Sequence, residues 1–278
     1  MSTVSTPINP RALALQALQV KQPTGKVDAL RTLWQYAQTF EWTEATSNAA
    51  LEADESLPGR PDKPILVHPG NVPTRSVHTL AGRAALVHAI CHIEFNAINL
   101  ALDAVWRYAG MPTAFYMDWL RVAYEESTHF DMLSKHLNSL QPNEPWSYGD
   151  FNAHDGLWLM CEKTAVNITA RMALVPRTLE ARGLDATPLI QAKLRTVNTP
   201  DALQTVAILD FILSEEIGHV AIGNHWYKHL CMQQGLGPVA HYAELVATYD
   251  APKLKPPFHN EARRAAGFSE EELAYLLT

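Results

Sequence analysis

Two stretches of sequence decide the fold: YEESTHF at Tyr124–Phe130 and SEEIGHV at Ser214–Val220. Both contain Glu-Glu-x-x-His among apolar residues spaced as in a helix. With 12 His and 17 Glu in 278 residues, random placement gives roughly 0.7 Glu-x-x-His matches, and requiring the preceding Glu lowers this to roughly 0.045. Two such motifs are found, and the chain has no other Glu-x-x-His match. The repeat therefore indicates a chemical role.

The spacing of the motif suits metal binding. Glu and His three positions apart lie on one helix face, with Cβ atoms about 5–6 Å apart. A carboxylate oxygen and an imidazole nitrogen can then reach one ion, whereas an unpaired carboxylate in an apolar helix is costly to bury. Glu126 and His129 form one candidate pair of ligands, and Glu216 and His219 form the other.

Apolar periodicity predicts four long helices. They are expected over residues 78–109, residues 113–138, a third segment from 156 to 197, and residues 201–231. Gly183, Asp185 and Pro188 are expected to interrupt the third segment. Gly110 and Asn198-Thr199-Pro200 are turn signals, and such short turns make consecutive helices antiparallel. Strand alternation does not appear over any length, so the predicted fold class is all-α, built on a four-helix bundle.

Further elements precede the bundle. Residues 11–20 and 26–40 have helical spacing. Residues 57–77 contain five prolines and are expected to form an extended wrap over the core surface, with a disordered linker as the alternative. Residues 1–77 are therefore expected to form N-terminal helices and a proline-rich connector.

The bundle also has a C-terminal extension. A shorter helix is expected near residues 238–248, and a last helix begins at the capping box of Ser269 and Glu272. The expected second part of the chain is thus residues 78–278, the bundle with this extension.

A centre with two metal ions needs one more acid on each of the other two helices. Glu94 is the only glutamate between residues 56 and 124, and the midpoint of Glu94 and Glu126 is Gly110, at the predicted turn. On the third helix the candidates are Glu162 and Glu180. The midpoint of Glu180 and Glu216 is Asn198, inside the second turn, so this geometry favours Glu180 and leaves Glu162 as the alternative. The expected ligands are Glu94, Glu126, His129, Glu180, Glu216 and His219.

The donor set indicates the metal. Four carboxylates and two imidazoles suit iron or manganese better than zinc, and four carboxylates neutralise two divalent ions. Two iron ions, or one iron and one manganese, are therefore expected per chain. The alternative is a pair of buried Glu–His networks without metal, which carries a heavy desolvation cost.

The first acid of each motif has a different expected role. Adjacent helical residues diverge by about 100°, so Glu125 and Glu215 cannot point where Glu126 and Glu216 point. A metal-bound imidazole needs an acceptor for its other N–H, and a nearby carboxylate commonly provides it. Glu125 is expected to pair with His219 and Glu215 with His129, with solvated surface acids as the alternative. His92, close to Glu94, is expected to support the centre or the core without binding metal.

Composition restricts the partners and the compartment. The net charge of −7 and the pI near 5.9 disfavour nucleic acid and anionic membranes. Cys91, Cys161 and Cys231 lie far apart, which argues against a disulfide framework and favours a reducing compartment. The first residues lack a basic stretch followed by an apolar run, so no signal peptide is expected. The expected location is the cytoplasm.

These motifs resemble the ferritin-like di-iron carboxylate superfamily. The resemblance covers about residues 55–270, is closest to an uncharacterised bacterial domain-of-unknown-function family, and is carried by HAICHIEFNAI, YEESTHF, YGDFNAHDGLW, LVPRTLEARGLDATP and SEEIGHVAIG. LEARGLD is also similar to a ligand segment of the tRNA-modifying di-iron hydroxylase, which supports Glu180. The resemblance implies a ferritin-like bundle and di-iron chemistry.

A non-haem di-iron oxidoreductase is accordingly expected, an oxygenase or hydroxylase acting on a small organic substrate with O₂ or peroxide. The alternatives are a rubrerythrin- or ferritin-like peroxidase or iron-handling protein, and a metal-stabilised scaffold without activity. An electron-donor protein and a second copy of the chain are further candidate partners. A tRNA substrate is disfavoured by the acidic balance.

Overall fold

A computed structural model describes residues 8–53 and 56–277. In these ranges no strand forms, and one isolated parallel bridge joins Leu66 and Ala153. The all-α fold class is confirmed. The helices are α1 (Pro10–Gln19), α2 (Pro23–Thr39), α3 (Glu44–Asn48), α4 (Leu80–Arg107), α5 (Thr113–Ser139), α6 (Gly156–Lys163), α7 (Ile168–Leu174), α8 (Ala181–Val197), α9 (Pro200–Gln234), α10 (Pro238–Thr248), α11 (Asn260–Ala265) and α12 (Glu270–Tyr275).

The chain divides into two compact units. The first unit comprises residues 1–63 and 94–131, and the second unit comprises residues 64–93 and 132–278. Both α4 and α5 contribute residues to each unit. The division expected from the sequence, between residues 77 and 78, stays a prediction.

In the first unit, buried cations tie the N-terminal helices to α4. The guanidinium of Arg11 is 1% exposed and donates to the carbonyls of Val105 and Trp106, at 3.2 and 2.7 Å. These carbonyls lie in the last turn of α4, where the helix itself supplies no donor, so Arg11 caps this helix end. The ammonium of Lys26, also buried, donates to Asn99 in α4.

The turn between α4 and α5 forms at Gly110, where the sequence predicts it. Gly110 has φ of 76°, a conformation that costs a residue with a Cβ much more than glycine. Its N–H donates to the carbonyl of Ser47 at 2.9 Å. Beyond the turn the helices run antiparallel, and the rings of Phe95 and Phe130 pack with centroids 5.4 Å apart.

In the second unit, the prediction for the third helix is wrong about where the helix breaks. The chain leaves the helix after Lys163 and re-enters it at Ile168, where the side chain of Asn167 accepts from the N–H of Ala170 at 2.9 Å. Arg171 then bridges the gap, because its guanidinium donates to the carbonyl of Cys161 at 2.5 Å. The six residues Val175–Glu180 form a π-helical segment that leads directly into α8.

The expected interruption at residues 183–188 is absent, because α8 runs through Pro188 without a break. One proline removes one backbone hydrogen bond, and here the burial of Leu184 and Leu194, both 0% exposed, outweighs that loss. Asn198 at φ of 54° ends α8, and α9 returns antiparallel, with the side chain of Gln191 donating to the carbonyl of Val206 at 3.4 Å.

The remaining elements follow the sequence closely. The helix expected near 238–248 is α10, and the capping box of Ser269 and Glu272 starts α12 as predicted. The short helices α3 and α11, of five and six residues, are not predicted from the sequence. Among the described residues, α4 alone is long and apolar enough to cross a membrane, yet 78% of its most apolar window is buried, which is typical of a core helix.

Candidate metal centre

Three of the predicted ligands form a buried cluster in the first unit. Glu94 comes from α4, and Glu126 and His129 come from consecutive turns of α5. Their exposed fractions are 5%, 1% and 0%, and their ligand atoms lie within 4.8 Å of one another. Nδ1 of His129 is 3.2 Å from Oε2 of Glu94 and 3.2 Å from Oε2 of Glu126. Two carboxylates from different helices therefore meet at one imidazole nitrogen.

The electrostatics of the cluster show an excess of buried negative charge. Burial and the neighbouring Glu126 carboxylate raise the pKa of Glu94, although its contact with His129 acts in the opposite direction. Burial alone would lower the pKa of His129, but its contacts with Glu126 and Glu94 outweigh this effect and raise it. In the absence of another cation, the cluster thus retains protons that exposed groups would release at neutral pH.

The donor set fits a metal ion. Nδ1 of His129 carries at most one proton, which cannot satisfy two carboxylates at 3.2 Å fully. Adjacent ligands of one octahedral ion lie about 3 Å apart when metal–ligand bonds are near 2.1 Å. The observed spacing is close to this value, and a divalent cation would replace the retained protons. Glu94, Glu126 and His129 are therefore suited to hold an ion together.

The second motif provides a matching pair in the second unit. Nδ1 of His219 lies 3.3 Å from Oε1 of Glu216, one helical turn away on α9. The side chain of His219 is 1% exposed and that of Glu216 is 13% exposed. The pair thus has the face-sharing geometry that the Glu-x-x-His spacing predicts.

Glu180 and Glu162 have different environments. Glu180 is 8% exposed and is the last residue of the π-helical segment. Glu162 lies on the exposed side of α6, where its carboxylate accepts from the indole N–H of Trp158 at 2.9 Å. α8 and α9 are antiparallel around Asn198, as assumed when the midpoint of Glu180 and Glu216 was used to favour Glu180. The role of Glu180 as a ligand stays a prediction.

The supporting residues are placed as follows. Glu125 and Glu215 are half-buried, and their pairing with the two histidines stays a prediction. His92 is 7% exposed, and both of its ring nitrogens face the loop that precedes α6: Nδ1 lies 2.8 Å from the hydroxyl of Tyr148 and Nε2 lies 3.1 Å from the carbonyl of His154. His92 therefore anchors this loop to α4.

Comparison with known proteins identifies the family. Residues 19–274 match the model of a family described as "Protein of unknown function (DUF455)". The chain belongs to the DUF455 family. It is also 49% identical over 229 residues to a Haemophilus influenzae protein described as uncharacterized, with 80% of this chain and 77% of the relative covered. No solved structure matches.

The structure of this DUF455 chain adds a feature that the sequence did not reveal, a buried network beneath the π-helical segment. Arg177, 3% exposed, donates to Glu272 at 2.8 Å and to the side chain of Asn224 at 2.9 Å. Its guanidinium also lies 4.5 Å from the ring centroid of Tyr242 and 5.0 Å from that of Tyr227. The network connects the segment that ends at Glu180 to α9, α10 and α12.

Close packing between α9 and the π-helical segment also holds this segment in place in the DUF455 chain. A Cβ added to Gly223 would lie 2.6 Å from Cβ of Pro176, a distance that real contacts essentially never show. Glycine therefore lets the π-helical segment approach α9. In the sequence, LVPRTLE places Pro176 and Arg177 in an apolar run, but it does not indicate their partners. Their partners lie far away in sequence, 95 residues in the case of Glu272.

Proposed function

We propose that this protein is a metal-dependent oxidoreductase with two iron ions, or one iron and one manganese, held by Glu94, Glu126, His129, Glu180, Glu216 and His219. The observation that carries the proposal is the cluster of two buried carboxylates and one buried imidazole in the first unit. Glu216 and His219, on the second copy of the same motif, would complete the centre. The four helical segments α4, α5, α7–α8 and α9 would then form a ferritin-like bundle.

Charge supports a pair of ions over a single one. Four carboxylates carry four negative charges, which two divalent ions neutralise and one ion does not. The donors are mostly oxygen with one imidazole for each ion, a composition that suits iron and manganese. Glu125 and Glu215 would accept from the second ring nitrogens of the two ligand histidines and so fix their orientation.

When bound, an iron pair supplies the electrons that reduce O₂ or peroxide. The residues of the chain hold the ions and exclude water. Phe95 and Phe130 directly follow Glu94 and His129, and they are 2% and 3% exposed. Their rings place apolar surface beside the cluster, which strengthens electrostatic interactions and protects a reactive centre from hydrolytic side reactions. This setting suits an oxygenase or hydroxylase acting on a small organic molecule.

The test is a single-turnover measurement of oxygen uptake by reduced, iron-loaded protein. We expect uptake in proportion to bound iron, and loss of uptake in Glu126→Gln prepared in the same way. Rapid uptake of peroxide without uptake of O₂ would favour the peroxidase alternative. Binding of iron with no uptake of either oxidant would favour a metal-stabilised scaffold and would contradict the proposed activity.

A further inference from the structure

The second unit contains a cavity of about 390 Å³, and none of the proposed ligands lines it. It lies between the first turns of α8 and the loop that joins α10 to α11, and its volume is in the range of small-molecule sites. The lining residues are Arg182, Asp185, Ala186, Leu189 and residues 252–258. We refer to this cavity as the cation pocket.

Three cations line the pocket, whereas its one acid is already neutralised. The cations are Arg182, Lys253 and Lys255. Asp185 forms two hydrogen bonds with the buried guanidinium of Arg263, at 2.6 and 3.0 Å. The N–H of His259 also donates to Asp185, at 2.8 Å. Asp185 therefore does not offset Arg182 and Lys255, and these two positive charges face the pocket in a chain whose net charge is −7.

Two of these cations are available to a ligand. Within the described part of the chain, the side chains of Arg182 and Lys255 form no hydrogen bond or ion pair. Burial lowers the pKa of the nearby His154, and the charge of Arg182 acts in the same direction, whereas Asp155 acts against it. An arginine fork without a partner suits the two oxygens of a carboxylate or phosphate group.

The walls of the pocket are stiff and partly apolar. Pro252, Pro256 and Pro257 have fixed φ angles, which lowers the entropy lost when a ligand binds. Phe258 contributes an aromatic face, and the guanidinium of Arg263 lies 5.3 Å from its centroid and holds the ring in place. Leu189, 47% exposed, continues the apolar surface.

We propose that the cation pocket binds a small organic anion, with its charged group on Arg182 and Lys255 and an apolar body against Phe258 and Leu189. The shared chemistry is a carboxylate or phosphate group on an apolar body. The proposal is independent of metal binding. However, α8 begins directly after Glu180, so an occupied pocket would adjoin the helix that continues from this candidate ligand.

The test uses calorimetric titration of the full chain at low salt with four probes: benzoate, phenyl phosphate, neutral benzamide and inorganic phosphate. We expect at least one of the two aryl anions to bind with a Kd of about 1 mM or tighter, and benzamide and inorganic phosphate to bind about 10-fold more weakly. Arg182→Gln and Lys255→Gln should each weaken aryl-anion binding about 10-fold. Lys193→Gln, an exposed lysine on the same helix, is the control and should bind as the wild type does.

Preference for benzoate would identify a carboxylate ligand, and preference for phenyl phosphate would identify a phosphate ester. Absence of binding by both aryl anions would overturn the proposal. Unchanged affinity in both Arg182→Gln and Lys255→Gln would also overturn it, because the anion would then bind elsewhere. If inorganic phosphate bound as tightly as the aryl anions, the apolar body would contribute nothing to binding, and that part of the proposal would be overturned. Circular dichroism spectra of the variants should match that of the wild type.

Discussion

Glu272→Gln removes one charge from the buried network under the π-helical segment. Glu272 receives hydrogen bonds from Arg177 at 2.8 Å and from the N–H of Ser269 at 2.6 Å, and its carboxylate lies 3.0 Å from Nζ of Lys228. The side chains of Arg177 and Glu272 are 3% and 2% exposed. Glutamine keeps the shape of the side chain but leaves the guanidinium of Arg177 buried without its counter-ion.

Breaking a buried ion pair by removing one partner costs about 3–5 kcal/mol. Lys228 is 37% exposed and can rehydrate, so we assign the cost mainly to Arg177 and expect about 3 kcal/mol. With a urea m-value near 3 kcal/mol/M, the unfolding midpoint would fall by roughly 1 M. Urea unfolding followed by circular dichroism measures this shift. Glu270→Gln on the same helix is the matched control, because its ion pair with Arg264 is exposed, and we expect no resolvable shift.

The loss of stability caused by Glu272→Gln should also depend on pH. Burial would raise the pKa of Glu272, but Arg177, the N–H of Ser269 and Lys228 hold it below the ordinary value of 4.5. A carboxyl with a lowered folded-state pKa stabilises the protein above its unfolded-state pKa, and this contribution is lost as pH falls through the lower value. The advantage of the wild type over Glu272→Gln should therefore be full at pH 7 and shrink below about pH 4.5. A midpoint shift as small as that of Glu270→Gln at pH 7 would refute the reasoning.

Three further predictions concern the buried His88 of α4, the two alternative ligands of the third helix, and Glu215 beside the proposed ligand Glu216. His88 is 0% exposed, its Nε2 accepts from the N–H of Gly149 at 2.9 Å, and burial lowers its pKa to about 4. The wild type should therefore lose stability relative to His88→Gln as pH falls from 6.5 to 4, as measured by thermal unfolding. Equal pH profiles of the two proteins would contradict this. Glu180→Ala should lose metal while Glu162→Ala retains it, as measured by elemental analysis, and the opposite result would mean that Glu162 is the ligand on this helix. Glu215→Gln should weaken iron affinity about 10–100-fold in a competition titration. Affinity equal to that of the wild type would mean that Glu215 does not support metal binding.

The long helices were predictable because their apolar spacing and turn residues agree. Gly110 and Asn198 both adopt the left-handed conformation that ends a helix, and each lies at a predicted turn. The cluster of Glu94, Glu126 and His129 was predictable because Glu94 is the only glutamate between residues 56 and 124, and because its pairing with Glu126 needs only the position of the turn at Gly110. Local sequence was sufficient for both results.

The path of the third helix required tertiary information. The run around Val166 is apolar and reads as helix, yet the chain breaks there and leaves Val166 95% exposed. Asn167 supplied a local cap signal that the apolar pattern concealed. The π-helical segment depends on Arg177, Gly223 and Glu272, whose contacts join distant parts of the chain. Such contacts leave no periodic pattern in one sequence.

The metal content of the protein tests the central proposal most directly. Protein purified without oxygen, loaded with iron and freed of unbound metal would be analysed for iron and manganese by mass spectrometry, with Mössbauer or EPR spectroscopy on the same sample. We predict about two ions per chain in the wild type, with spectra of a coupled pair, and a loss of at least one ion in Glu94→Ala. One ion per chain or fewer in the wild type, with the same content in Glu94→Ala, would contradict the proposed centre.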